Sequence, residues 1–172
     1  GLDYSLYQNG LFRTYAYPPL FNSANLSIRS FISRGQEKVI GSRDGLFYIN
    51  EATGMVKSFV KPVLTSDLIL TISFYQGEYY IGTYGGGMMV LNPETLSLKY
   101  FSQSDTELFQ KGHIFCVKPD TKGNLWIGTS QGLFNYNGQT KQIKHFTSAN
   151  SQLPEGNVYE VSFDSTGKGW IA

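Results

Sequence analysis

Few residues in this 172-residue sequence have a type and spacing that could do chemistry. His113 and His145 are the two histidines, and neither has a cysteine or a paired carboxylate at metal-ligand spacing. Asp120 and Asp164 each stand three residues before a glycine, Gly123 and Gly167. A glycosidase needs two carboxylates facing each other across one sugar, whereas a repeated aspartate-to-glycine spacing reads as turn chemistry. Residues 84–89, YGGGMM, have the glycines of a phosphate cradle, but no Lys-Ser/Thr pair follows and the run leads into a strand pattern rather than a helix. Cys116 is the single cysteine and sits in an apolar alternating run, which points to a buried thiol and excludes a disulfide framework. With both histidines in one repeat, nothing marks a Ser-His-Asp arrangement. The expectation is a chain without catalytic residues, metal or cofactor.

What positions these residues is a repeated phrase. LWIGTSQGL at 125–133 overlays VIGSRDGLF at 39–47 and YIGTYGGGM at 80–88, with Gly41, Gly82 and Gly128 in register. Gly45, Gly86 and Gly132 then also align, Trp170, Ile171 and Ala172 open a further copy, and Gly1-Leu2 fits the tail of an earlier one. From Gly1 the second glycine recurs at intervals of 44, 41 and 46 residues, the period of propeller blades. An alternating segment and a tight turn precede each phrase, and two short runs separated by a turn follow it, so each repeat predicts four short antiparallel strands, A to D. Such a unit cannot cover both its apolar faces alone and must stack on copies of itself. The predicted fold is all-β: residues 1–172 form one β-propeller segment of about four blades, with repeats beginning near 1, 45, 86 and 132 and the first and last incomplete. In this reading Gly41, Gly82 and Gly128 let a large neighbour such as Trp126, Trp170 or Tyr80 pack across the blade interface. Gly45, Gly86 and Gly132 turn the chain from strand B to strand C.

Composition agrees. Aromatic residues make up 15% of the chain and charged residues 16%, below the roughly 25% charged of an average domain, as expected where sheet faces cover one another. A net charge of +1 spread along the chain offers no basic stripe for nucleic acid or anionic lipid, so neither is an expected partner of this segment. No apolar run approaches the roughly 18 residues of a membrane span, and no signal peptide is visible; neither observation fixes a location.

GNLWIGTSQGL at 123–133, preceded by Val117 and Asp120 and followed by LPEGNV (153–158) and VSFD (161–164), resembles the two-component regulator propeller repeat. The copies at 35–60 and 77–101 match less well, with Val39 and Tyr80 in the tryptophan position. The resemblance implies a slice of the periplasmic sensor region of a hybrid two-component regulator from a glycan-degrading gut bacterium. That region senses an oligosaccharide and signals through a membrane helix to a histidine kinase, receiver and DNA-binding domain. Any kinase activity would belong to those later parts and not to these residues. The resemblance also implies seven-bladed propellers, so about four blades read as part of a larger one, completed by remaining blades or by a second copy of the chain. The other possibility is a closed ring in which strands C and D of residues 1–15 join strands A and B of residues 157–172.

Binding is then expected on the face where the B-to-C and D-to-A connections open. Arg43, Asp44, Tyr84, Ser130, Gln131 and Asn150 stand there, with the connections 102–112 and 147–157. These vary among repeats where the strands do not, and planar aromatics and forked polar groups suit sugar rings and hydroxyls. Three functions fit this pattern: an oligosaccharide-sensing propeller segment, a protein-interaction scaffold, and, as the weakest, a propeller lyase or glycosidase.

Overall fold

The computed structural model of the protein describes residues 3–8, 11–16, 27–101 and 108–172. Three four-stranded antiparallel sheets follow one another in chain order, flanked by two hairpins. The first hairpin is β1 (Asp3–Gln8) and β2 (Leu11–Ala16). The first complete blade is β3 (Ile28–Arg34), β4 (Glu37–Ser42), β5 (Leu46–Asn50) and β6 (Met55–Phe59). The second is β7 (Ile69–Tyr75), β8 (Glu78–Thr83), β9 (Met88–Leu91) and β10 (Leu98–Tyr100). The third is β11 (Ile114–Pro119), β12 (Asn124–Thr129), β13 (Gly132–Asn137) and β14 (Ile143–Phe146), and the last hairpin is β15 (Val161–Phe163) and β16 (Gly169–Ile171). Each complete sheet is a meander in the order A, B, C, D.

Turns are built from the residues that recur. Asn50, Asn92 and Asn137 end strand C in each blade, and each side-chain oxygen accepts two amides of the following turn, from Ala52 and Thr53, Glu94 and Thr95, and Gln139 and Thr140. Ser42, Thr83 and Thr129 end strand B, and each hydroxyl donates across the turn to the carbonyl of Gly45, Gly87 or Gly132. Gly45 and Gly132 have φ of +126° and +101°, which makes them the turn glycines expected. In the second blade the equivalent residue is Gly87 (φ +70°), not Gly86, because this turn is one residue longer. Gly86 serves a different need: a Cβ there would meet Thr65 Oγ1 at 2.6 Å and Ser66 Cβ at 2.7 Å.

Period-two alternation puts successive residues on opposite faces, and the faces pair between blades. Val39, Leu46 and Tyr48 of the first blade join Ile72, Tyr79, Ile81, Met89 and Leu91 of the second in one buried cluster. Tyr80, Met88 and Val90, from the other face of the second blade, join Val117, Leu125, Ile127, Phe134 and Tyr136 of the third. Cys116 and Leu133 then meet Val158 and Val161, with Trp126 and Phe163 packed at the edge. The tryptophan position, Val39, Tyr80 and Trp126, thus faces the next blade every time. Burying each such side chain contributes about 1.5–3 kcal/mol.

The strand A segments lie innermost, β3 against β7, β7 against β11 and β11 against β15, which makes the arrangement radial. The recurring glycines permit this approach, though not for the aromatic neighbours expected. A Cβ on Gly41 would collide with Ile69, one on Gly82 would meet Ile114 Cγ2 at 2.7 Å, and one on Gly128 would meet the Val158 carbonyl at 2.6 Å. Ile69, Ile114 and Val158 are the same position of successive inner strands. Trp126 nonetheless packs across the interface, over Phe163 of the terminal hairpin at 6.1 Å, as well as over Phe146 of its own blade at 5.9 Å. Trp170, in the two-stranded terminal sheet, is 58% exposed within this segment.

Two further findings differ from the sequence reading. The connection 102–112, expected to be a polar loop, contains the single turn α1 (Leu108–Lys111) and buries Phe109 against Phe101 and Phe134 at 5.3 and 5.1 Å. Residues 102–107 of that connection, and Gly1-Leu2, lie outside the described residues. The hairpins β1–β2 and β15–β16 form as expected, and among the described residues they belong to separate sheets and make no splice of the kind a four-bladed ring requires. Among the described residues no helix is long and apolar enough to cross a membrane.

Candidate functional site

Strand A of every complete blade carries a register shift near its start: Ile28/Ser30, Ile69/Thr71 and Ile114/Cys116. A bulge leaves one residue without a partner and re-aims its side chain. The residues set free are Arg29, Leu70 and Phe115, and Tyr159 holds the same place ahead of β15. None of the four belongs to an inter-blade core cluster. They stand at the head of the inner strands, where the blades converge.

An aromatic row runs through this point. Tyr84, on the B-to-C turn of the second blade, stacks on His113 of the third with centroids 4.0 Å apart and planes at 28°. His113 lies 6.1 Å from Phe115, and Phe115 lies 4.7 Å from Tyr159, so the row ends on the terminal hairpin's side of the hub. Backbone hydrogen bonds hold its members in place: Tyr84 N donates to the Leu68 carbonyl and Ser130 N to the His113 carbonyl. His113 Nδ1 is buried and has no partner among the described residues. Asn157 Nδ2 donates to the Tyr159 hydroxyl at 2.7 Å.

Beside the row lies a polar cleft of about 290 Å³, lined by Ser130, Gln131, Gly132, Thr147, Ser148 and the stretch from Leu153 to Gly156. The loop face thus brings together Tyr84, Ser130 and Gln131 from the expected set. Arg43 and Asp44 are exposed on the turn of the first blade, two blades from the cleft. Asn150 is committed to its own loop, accepting from Thr147 N at 2.8 Å and donating to the His145 carbonyl at 2.9 Å. His145 bonds the Gln131 carbonyl at 2.7 Å and lies flat on Phe134 at 3.9 Å, which makes it a brace for the cleft wall.

The opposite face shows why the paired aspartates are structural. Asp120 accepts from the amides of Lys122 and Asn124, from Asn124 Nδ2 and from Trp126 Nε1, all at 2.8–2.9 Å. Burial pushes its carboxyl up, but the bonds from Asn124, Trp126 and Lys122 outweigh that and hold it below the ordinary carboxylate value. Asp164 repeats the turn with Thr166 and Lys168. Among the described residues no group of three or more His, Cys, Asp or Glu could hold a metal.

The indole anchored on the turn aspartate, followed by the glycine that the next blade packs upon, is the repeat's signature. Residues 109–131 match the two component regulator propeller family. This propeller match runs from buried Phe109 to Gln131 at the cleft. Across 94% of its length the chain is similar to the extracellular domain of the hybrid two component system BT3049 from B. thetaiotaomicron, at 27% identity and a TM-score of 0.64. Across 93% it is similar to the extracellular domain of the hybrid two component system BT4673 from B. thetaiotaomicron, at 19% identity and a TM-score of 0.68. It covers 21% and 22% of those two chains, about a fifth of their length. The WD40 β-propeller domain of Doa1 shares the fold, with a TM-score of 0.66 at 12% identity over 98% of this chain and 53% of that one. No curated protein matches the sequence.

Sequence reasoning missed Phe115 and Tyr159 and assigned His113 no binding role. One signal was present: aromatic residues occupy the same place, just after the start of strand A, in two successive repeats.

Proposed function

We propose that this chain is a ligand-sensing propeller segment from the periplasmic region of a bacterial hybrid two-component receptor, and that its ligand is an oligosaccharide. The similarity to the BT3049 extracellular domain over 94% of the chain at 27% identity carries this reading. Its geometry supports it: rigid sheets hold an aromatic row and a polar cleft on the loop face, the arrangement in which recognition concentrates. In the receptor, kinase activity resides elsewhere in the polypeptide and this segment performs no catalysis.

Further blades of the same propeller, seven in all, complete the segment. An apolar groove of about 400 Å³ runs between the third blade and the terminal hairpin, lined by Trp126, Leu133, Phe146, Leu153, Pro154 and Ile171. Strands C and D beside β16 would fill it. Titration calorimetry against plant and host glycan oligosaccharides, performed on the receptor ectodomain containing this segment, tests the reading. One class binds at micromolar strength or better; an ectodomain that binds none contradicts it.

A further inference from the structure

Resting on that sensor reading, we propose that the hub row is the subsite for a neutral oligosaccharide, with Tyr84 and Tyr159 as two stacking platforms and His113 and Phe115 as the positioning residues between them. Single exposed tyrosines are ordinary on a protein surface. Here four rings are contiguous across adjoining blades, and each is oriented by its neighbour before any ligand arrives. Tyr84 has one face against His113 and is 52% exposed; Tyr159 has one face tilted over Phe115 and is 57% exposed. Within this segment the other face of Tyr84 is open and its ring is held in a fixed plane, so little ordering entropy is lost on binding there. The negative face of a phenol ring attracts the polarised C–H bonds on the flat side of a pyranose.

Two further observations point the same way. His113 keeps a buried, unpartnered Nδ1, so stacking against Tyr84 rather than its own hydrogen bonds fixes the ring. Charge narrows the sugar class: among the described residues the charged residue lining the adjacent cleft is Glu155, Arg29 at the equivalent bulge belongs to the first blade, two blades from Phe115, and Lys118 is paired with Glu160 at 2.8 Å. No cation in the cleft lining is available to an acidic sugar, whereas the Ser130 and Gln131 side chains and the Tyr159 hydroxyl proton can serve neutral hydroxyls.

The test is calorimetry of the receptor ectodomain with cellotetraose, xylotetraose, mannotetraose and maltotetraose, with tetragalacturonate as the acidic arm. At least one neutral tetrasaccharide is expected to bind and tetragalacturonate not to bind. Tyr84→Ala and Tyr159→Ala should each weaken binding about tenfold at unchanged melting temperature, while Tyr84→Phe retains it. His113→Ala should weaken binding and His113→Phe should restore it, a rescue that a purely structural histidine would not show. Where an alanine variant melts early, the tyrosine ultraviolet difference spectrum of the wild-type protein on sugar addition replaces it, and an unchanged spectrum counts against the row. Undiminished affinity in both alanine variants overturns the subsite and leaves the sensor reading standing. Binding of tetragalacturonate alone overturns the neutral class. Failure of every oligosaccharide, here and in the wider glycan panel, removes both.

Discussion

Asp120 ties a turn, an asparagine and the repeat's tryptophan together through four donated hydrogen bonds. Asp120→Ala strands those donors and should cost about 1–3 kcal/mol at neutral pH, read from the urea midpoint. Because the folded carboxyl lies below its unfolded value, its contribution is full above the unfolded pKa, near 4, and is lost as pH falls through the folded one. The difference between variant and wild type should therefore shrink in acid. Cys116 behaves oppositely: burial pushes its thiol up to about 11, against weaker lowering by the Gly128 backbone. At pH 8 it should resist a disulfide reagent until the protein unfolds; labelling of the folded protein at the rate of a free cysteine would contradict its placement. The turn role of Asp120 and the buried thiol were both legible from residue type and local pattern. The Trp126 anchor was not, because Asp120 lies in the A-to-B turn and Trp126 on strand B, and only the folded turn brings the carboxylate to the indole nitrogen.

At the scale of the element, strands and turns follow from alternation and from recurrent Asn, Ser or Thr, and Gly. The error at Gly86 has a local cause: three successive glycines offer three registers, and only the Thr83 hydroxyl bond to the Gly87 carbonyl selects one. The glycine at the end of strand B was readable as a close approach, but its partner was not, since Ile114 lies 32 residues further along the chain than Gly82. Gly82→Val would drive a side chain into Thr71 Cγ2, Ile114 Cγ2 and the Ile114 carbonyl, all within 3 Å of a bare Cβ. A backbone carbonyl cannot rotate away, so the variant should lose about 1–3 kcal/mol or more, seen as a lower urea midpoint. Retention of wild-type stability would mean the blades do not meet there. The helical turn α1 escaped notice because four residues carry too little periodicity, although it buries the ring of Phe109.

For the whole molecule, radial stacking predicts graded stability. The inner strands of the second blade are covered on both faces, with Tyr79, Ile81, Met88 and Leu91 fully buried, whereas the outer strands β6 and β10 leave Lys57, Ser58, Lys99 and Tyr100 exposed. Amide exchange should be slower in β8 and β9 than in β6 and β10; uniform protection would contradict the gradient. Tyr75 adds to the rigidity of the middle, its hydroxyl donating to the Gly123 carbonyl at 2.6 Å and accepting from Gly138 N at 3.1 Å across the interface. Beyond the recurring aromatic after the start of strand A, the hub row was not legible in sequence, because it exists only once separate bulges bring Phe115 and Tyr159 beside His113 and a turn from another blade.

The central claim is that repeats of this chain meet about one hub, each inner strand seated on the glycine of the blade before it. Methyl nuclear Overhauser spectroscopy tests it directly. Contacts are predicted from Ile69 to Gly41, from Ile114 to Gly82 and from Val158 to Gly128, the same contact three times over. A protein that showed the strands within each sheet but none of these three contacts would have its blades arranged otherwise, and the site built at their hub would not exist.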